Sequence, residues 1–314
     1  MITAEGRTVK LLIVNNASSG LRDGSIYDFA RLAARDGDEI CIRTTDGSTD
    51  AATLVHDAEA FDAVVVSGGD GTIASVAYAL ANTDVPILPF PAGTGNLLAG
   101  NLASPNEPNA LVKLLNKGKH LDFDLGEIES HSKKHGFLIM AGAGFDAAIM
   151  KTAIPAKKIL GPMAYFQAAV ANATPQVSKI TLDIDGARYE REGVGVVLAN
   201  FSKMQFDISI THENHPRDGK LDVVVLKTQN AFELIPAVLA SWRDREGTYP
   251  SRTDSLEIIS GSTVRVECDP PMNIQYDGEV PGLKTPFNAR VMPGAARLLL
   301  SDEGFASFSD EAES

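Results

Sequence analysis

Two patterns of apolar residues divide the chain. Up to about residue 117, short β-branched runs at 9–15, 39–44, 62–67 and 85–89 alternate with stretches of helical periodicity at 26–35, 51–58, 73–81 and 110–117. The run Asp62-Ala63-Val64-Val65-Val66 is almost uncharged, as a strand buried on both faces must be. Strand alternating with helix predicts a parallel sheet covered on either side. Beyond a boundary between residues 118 and 132, the runs shorten and alternate at period two. They fall at 136–141, 178–184, 194–199, 221–226, 256–259, 263–268 and 273–276, with turns such as Asp185-Gly186 between them. That half predicts a mainly antiparallel β-sandwich, interrupted by helical insertions at 162–172 and 231–242. The tail from Asp302 to Ser314 is acidic and rich in small residues, which predicts disorder.

Composition narrows the class. With 314 residues, 44 % of them hydrophobic, the chain can bury a large core in two domains. No apolar run approaches the roughly 18–20 residues of a membrane span, and residues 1–9 lack the cationic start and apolar body of a signal peptide, so a cytoplasmic location is expected. A net charge of −13 argues against nucleic acid and against adhesion to an anionic bilayer by charge alone. Membrane contact would then be local and transient. Candidate clusters for it are Lys151, Lys157 and Lys158 near Ile154, Ile159 and Leu160; Lys203 with Met204 and Phe206; and Arg243 and Arg245 with Trp242. Cys41 and Cys268 lie far apart, outside any Cys-x-x-Cys pattern, and read as free thiols; the six histidines have no metal-binding spacing.

Two glycine-rich segments carry the candidate chemistry. Ser67-Gly68-Gly69-Asp70-Gly71-Thr72 and Pro91-Ala92-Gly93-Thr94-Gly95-Asn96 each follow a strand-like run and lead into helix-like sequence. Glycines let amide groups approach an anion with no Cβ in the way, and the helix dipole behind them favours negative charge. Thr72 fits a helix N-cap. In an open parallel sheet, ligands lie outside the carboxyl ends of strands, so both loops would line one crevice, with Thr94 and Asn96 as side-chain donors. Neither loop has the Gly-Lys-Ser/Thr of a P-loop or the three spaced glycines and later acid of a dinucleotide site, which leaves a mononucleotide as the better fit. Asp70 is the odd member, since a carboxylate repels phosphate unless a cation intervenes or it handles a proton. It reads as a magnesium-linked or hydroxyl-orienting group, or else as the solvated residue of a plain turn.

These loops resemble the two nucleotide motifs of the diacylglycerol kinase catalytic-domain family, which spans bacterial soluble lipid kinases, ceramide kinases and sphingosine kinases. Other segments follow in the family's order. Val14-Asn15-Asn16-Ala17-Ser18-Ser19-Gly20 is similar to the first strand and its Asn-Pro-x-Ser-Gly loop, with Asn16 replacing proline. Asp122-Phe123-Asp124-Leu125-Gly126 resembles the Asp-Leu-Gly segment, Ala141-Gly142-Ala143-Gly144-Phe145-Asp146 the Gly-x-Gly-Phe-Asp segment, and Leu160-Gly161-Pro162-Met163-Ala164-Tyr165 the Leu-Gly-Pro-x-Ala-Tyr segment. Asp218-Gly219-Lys220-Leu221-Asp222 and Asp277-Gly278-Glu279 resemble the late Asp-Gly-x-Leu-Asp and Asp-Gly-Glu motifs. Departures are Leu97 and Gly100, where the family commonly has Asp and Arg, and Asn200-Phe201-Ser202-Lys203, where it often has Asn-Gly and later a glycine run at the rim facing the acceptor. NAD kinases share the Gly-Gly-Asp-Gly loop but usually follow it with Asn-Glu rather than Gly93-Thr94-Gly95-Asn96.

The resemblance implies an NAD kinase/diacylglycerol kinase-like α/β domain over 1–125, a β-rich substrate domain over 126–284, a strand within 285–302 returning to the first domain, and an acidic tail over 303–314. It implies an ATP- and Mg2+-dependent kinase acting on a hydroxyl of diacylglycerol or a related lipid, cytoplasmic or peripheral at the membrane. The amides of Gly68 to Thr72 and Gly93 to Asn96 would cradle the nucleotide, bordered by Asn15, Ser19 and Gly20. Spacing alone reads Asp277-Gly278 as the corner of a type I′ hairpin; the resemblance makes Asp277 the catalytic base and Glu279 a companion acid or nucleotide contact. It assigns Asp124 and Lys158 (or Lys157) to an acid–water–magnesium network, although Asp122 and Asp124 also fit surface charge. Asp218 would ligate a structural magnesium, or simply belong to a turn. Dimerisation through the first domain occurs in some family members, and no residues in this chain mark such a surface. Two other readings stand beside the lipid kinase: phosphorylation of a soluble nucleotide or sugar, and a nucleotide-binding regulatory protein without turnover, which Leu97 and Gly100 motivate.

Overall fold

A computed structural model describes residues 8–20, 24–144, 176–201, 215–227 and 256–309. The chain forms two compact units: one runs to Leu125 and adds 216–218 and the chain from Met292 onward; the other comprises 126–215 and 219–291.

In the first unit, β1 (Lys10–Asn16), β2 (Glu39–Thr45), β3 (Ala63–Gly68) and β4 (Ile87–Pro91) are all parallel, in the order β2-β1-β3-β4. Ile13 pairs with Val65, and Val65 with Leu88. Consecutive residues Val64, Val65 and Val66 are all fully buried, which is why β3 shows no polar alternation. One face packs on α1 (Ser25–Ala33) and α5 (Pro108–Lys117), where Phe29 meets Phe90 edge-on at 5.6 Å between centroids. Also present are α2 (Ala51–Leu54), α3 (Asp70–Ala79), which packs on β3, and α4 (Leu97–Asn101).

In the second unit, β7 (Met140–Gly144), β10 (Gly195–Ala199), β11 (Leu221–Leu226), β12 (Leu256–Gly261) and β14 (Ile274–Tyr276) make an antiparallel sheet in the order β12-β11-β10-β7-β14. A second antiparallel layer contains β8 (Ser178–Ile184), β9 (Ala187–Gly193), β13 (Thr263–Asp269) and the start of β15 (Phe287–Leu300). Val196, Leu198, Val223 and Val225 from one layer bury against Ile180, Leu182, Val264 and Val266 from the other. The expected α/β domain and antiparallel sandwich are thus both present. β15 is shared: through Val291 it belongs to the second unit, and from Met292 to the first, where Leu298 pairs in parallel with Ile87.

The boundary region 118–132 contains β5 (Lys119–Ser130), which pairs with β6 (Lys133–Phe137) across His131-Ser132, both at positive φ, and the two units divide within it after Leu125. One expectation is corrected. The tail is not disordered over 302–309. Those residues form α6 (Asp302–Ser309), because Phe308 is buried edge-on against Phe123 at 5.3 Å and Arg217 donates to the Phe308 carbonyl at 2.6 Å. The helical insertions expected at 162–172 and 231–242, and the three basic–apolar clusters, lie outside the described residues. Among the described residues, no helix is long and apolar enough to cross a membrane.

The β8–β9 corner is held to β13 by one carboxylate. Asp185 accepts from the amides of Ser262 at 3.0 Å and Thr263 at 2.9 Å and from both their hydroxyls, which together bring its pKa down to about 2. Because the folded pKa is lowered, the stabilisation is present above the unfolded value of about 4 and is lost as pH falls toward 2. Asp185→Asn is expected to lower stability by about 1 kcal/mol at pH 7, the site being exposed and screened. In thermal unfolding followed by circular dichroism, the gap from wild type should narrow between pH 4 and pH 2.

Candidate active site

Parallel strands β1, β3 and β4 lie side by side in the first unit, so their carboxyl ends release three loops at one edge. The loop after β1 is folded on itself by the Asn16 side chain, whose Oδ1 accepts from the Ser18 amide at 3.0 Å while its Nδ2 donates to Thr72 Oγ1 at 2.9 Å. Ser19 Oγ accepts from the Gly69 amide at 3.3 Å. Gly20 has φ +57°, and a Cβ there would collide with the Ala92 carbonyl of the third loop. A Cβ on Gly93 would lie 2.6 Å from the Gly69 Cα and 2.9 Å from Asn96 Oδ1. All three loops therefore meet backbone against backbone.

Within that cluster, Asn96 adopts φ +52° and its Oδ1 accepts from the Gly93 amide at 2.8 Å, closing the third loop. Thr94 and Gly95 are exposed at its tip, and Ser67 and Asn15 are buried at the strand ends. Helix α3 starts at Asp70 with Gly69 as its N-cap, and no side chain caps it. Thr72, expected as the cap, instead sits in the first turn and accepts from Asn16. An N-terminus without a side-chain cap at a glycine-lined edge has the form of an anion site.

Asp70 has a job the sequence did not show. Its Oδ2 accepts from the Leu97 amide at 3.1 Å and its Oδ1 from the Leu98 amide at 3.0 Å, so it caps the start of α4. Leu97, which departs from the family's usual acid, contributes a backbone donor to this contact. Gly100 is exposed, and a Cβ there would meet nothing within 4 Å, so a side chain fits at this position. Asn16 is the residue that spacing missed; only its deviation from proline marked it.

Asp124 is fully buried in the first unit and accepts from the Gly294 amide at 2.8 Å, which excludes the surface-charge reading for it. Its neighbour Asp122 pairs with Arg297 at 2.7 Å, and that guanidinium holds its carboxyl below the usual range. Asp218 is exposed on the turn before β11. Lys158 and Lys157 lie outside the described residues. Among the described residues, no three His, Cys, Asp or Glu side chains gather as a metal cage.

Asp277 sits in the second unit. It and Gly278 have φ +40° and +86°, and Tyr276 pairs with Glu279 across them, so the two-residue hairpin corner that spacing suggested is present. The corner does more than reverse the chain. Its carboxylate is buried and accepts from the amides of Leu138 at 2.7 Å, Ile139 at 2.9 Å and Met140 at 2.9 Å. Beside it, the His135 ring stacks on Tyr276 at 4.9 Å, and burial pushes the Tyr276 hydroxyl up to about 12, with the charge of exposed Glu279 adding to the shift.

Residues 10–128 match the diacylglycerol kinase catalytic domain, and residues 140–300 match the YegS C-terminal NAD kinase beta sandwich-like domain. The chain belongs to this family of lipid kinases. A protein of Synechocystis is 29 % identical over 248 residues, 76 % of this chain and 54 % of that protein, so the chain spans about half of that relative's length. A diacylglycerol kinase of Mycobacterium tuberculosis is 28 % identical over 253 residues, 79 % of each chain. A Pseudomonas aeruginosa protein named "Probable lipid kinase YegS-like" is 29 % identical over 299 residues, 92 % of this chain and 93 % of its own. In fold, the chain matches a crystal structure of a Bacillus anthracis diacylglycerol kinase with a TM-score of 0.73 at 22 % identity, covering 96 % of this chain and 99 % of that one. An Archaeoglobus fulgidus NAD kinase solved with ATP is more distant, with a TM-score of 0.53 at 13 % identity over 96 % and 98 %.

The glycine contacts make opposite predictions for two neighbouring positions. Gly93→Ala is expected to destabilise the first unit by about 2 kcal/mol, because backbone rather than a side-chain end must give way. Gly100→Ala, in open space within α4, is expected to stabilise by about 0.5 kcal/mol. Chemical denaturation of both variants measures the pair.

Proposed function

We propose that this chain transfers the γ-phosphate of ATP to a hydroxyl of diacylglycerol or a related lipid. The observation that carries the nucleotide half is the convergence of the loops at 16–20, 67–72 and 91–96, where Gly20, Gly68 and Gly93 have no room for a Cβ. Such a surface offers amide donors at close range to phosphate oxygens. In this reading the loops Gly68 to Thr72 and Gly93 to Asn96 hold the phosphates through amides other than those of Gly69 and Gly93, which donate to Ser19 Oγ and Asn96 Oδ1, with Asn15, Ser19 and Gly20 at the border. Membership of a kinase family supports phosphoryl transfer. The names of the Mycobacterium tuberculosis and Pseudomonas aeruginosa relatives support a lipid acceptor.

The family resemblance assigns the base to Asp277, with Glu279 as its companion. A base must be held in one orientation to act on a hydroxyl, and three amide donors do this for Asp277. The same resemblance assigns Asp124, Lys158 and Asp218 to magnesium-linked roles. In this reading the magnesium of the reaction arrives with the nucleotide's phosphates, apart from the structural ion at Asp218. A lipid hydroxyl is met at a membrane surface, and a chain of net charge −13 would touch that surface briefly.

Purified protein with ATP, Mg2+ and a panel of lipids in mixed micelles is expected to yield a phosphorylated lipid. Asp277→Asn should reduce turnover by about 10²–10⁴-fold, with ATP affinity by calorimetry within about twofold of wild type. ATP binding without transfer to any lipid would overturn the lipid reading: phosphorylation of NAD instead would favour a soluble acceptor, and no ATP consumption at all a regulatory protein.

A further inference from the structure

The carboxylate of Asp277 is held by three consecutive residues, and those residues are themselves held from the other side. Leu138 and Ile139 form the corner between β6 and β7, and Met140 begins β7. Their amides all point to Asp277. Their carbonyls are satisfied as fully. The Leu138 carbonyl accepts from Asn200 Nδ2 at 2.8 Å, and the Ile139 carbonyl from the amides of Asn200 at 2.9 Å and Phe201 at 3.1 Å. The Met140 carbonyl accepts from the Asp277 amide itself at 2.9 Å. Asn200 and Asp277 are both buried, at 4 % and 8 % exposure, as are all three residues between them.

The Leu138 carbonyl and the Ile139 amide belong to one planar peptide group, so Asn200 Nδ2 grips one end while Asp277 Oδ1 grips the other. The next peptide repeats the arrangement, with the Asn200 and Phe201 amides at its carbonyl and Asp277 Oδ1 at its Met140 amide. Rotating either peptide breaks bonds at both ends, and donors at the carbonyls polarise the amides toward the carboxylate. The orientation of the Asn200 amide is fixed by the same logic, since only its nitrogen can donate to a carbonyl. Residue 200 therefore belongs to the buried support of the acid.

We propose that Asn200 is a positioning residue for Asp277, acting through the Leu138–Met140 peptides. The inference rests on the reading of Asp277 as the base. Asn200→Ala and Asn200→Asp are each expected to lower kcat about tenfold, leaving the KM for ATP within about twofold. Weakened amide donors favour the carboxylate less, so the acid limb of the kcat/KM profile should move to higher pH. In an Asp277→Asn background, Asn200→Ala should add no further loss, because both changes disable one unit. Amide exchange at Ile139 and Met140 in Asn200→Asp gives a second measurement on a near-isosteric fold and should be faster than in wild type. Wild-type turnover, pH profile and exchange in the Asn200 variants, beside an inactive Asp277→Asn, would overturn the inference alone. Full turnover by Asp277→Asn would overturn the assignment of the base and this inference with it.

Discussion

The first unit depends on backbone meeting backbone where Gly93 faces Gly69. Parallel strands deliver their loops to the same sheet edge, but nothing in strand pairing makes those loops touch. Here they touch because Gly93 has no side chain to meet Gly69, and because Gly20 likewise yields to the Ala92 carbonyl. Side-chain bonds from Asn16 to Thr72 and from the Gly69 amide to Ser19 then fix the distance. An added methyl at Gly93 would push two chain segments apart, since its nearest neighbour is the Gly69 Cα, which is backbone.

Asp70 resolves an electrostatic difficulty in the same cluster. A carboxylate next to the proposed phosphate site would repel its ligand, yet this one accepts with both oxygens from the first amides of α4. Its charge is thereby partly balanced by local dipoles, and the third loop is tied to the first turn of α3. Asp277 follows the same rule in the second unit. There a buried carboxylate is made tolerable by three amides, and a positive-φ hairpin that aspartate adopts readily aims it at them. In both places backbone amides meet the acid.

Much of the architecture could be read from the order of residues. The apolar runs at 178–184 and 221–226 coincide with β8 and β11, that at 39–44 is one residue shorter than β2, and that at 62–67 is offset from β3 by one residue. These runs were legible because burial on one or both faces imposes a period that composition cannot disguise. The two glycine-rich loops were legible because only glycine permits such close approach, and the loop at 15–20 through its family resemblance. Of the strand at 119–130 only the alternation of Asp122 and Asp124 showed, since its charges are absorbed by Arg297, Lys134 and Arg290. Helix α6 was not legible, since its stability comes from Phe123 and Arg217 rather than from its own acidic sequence.

By itself, then, the sequence determined the two kinds of domain, the two glycine-rich loops and the acids worth watching, because each leaves a local mark: a period, a missing side chain or an isolated charge. Tertiary structure decided what those acids hold. That Asp70 caps a helix 27 residues on and Asp277 binds amides 137 to 139 residues back follows from how the loops and sheets pack. A carboxylate carries the same charge in any context. Only the fold selects which donors surround it.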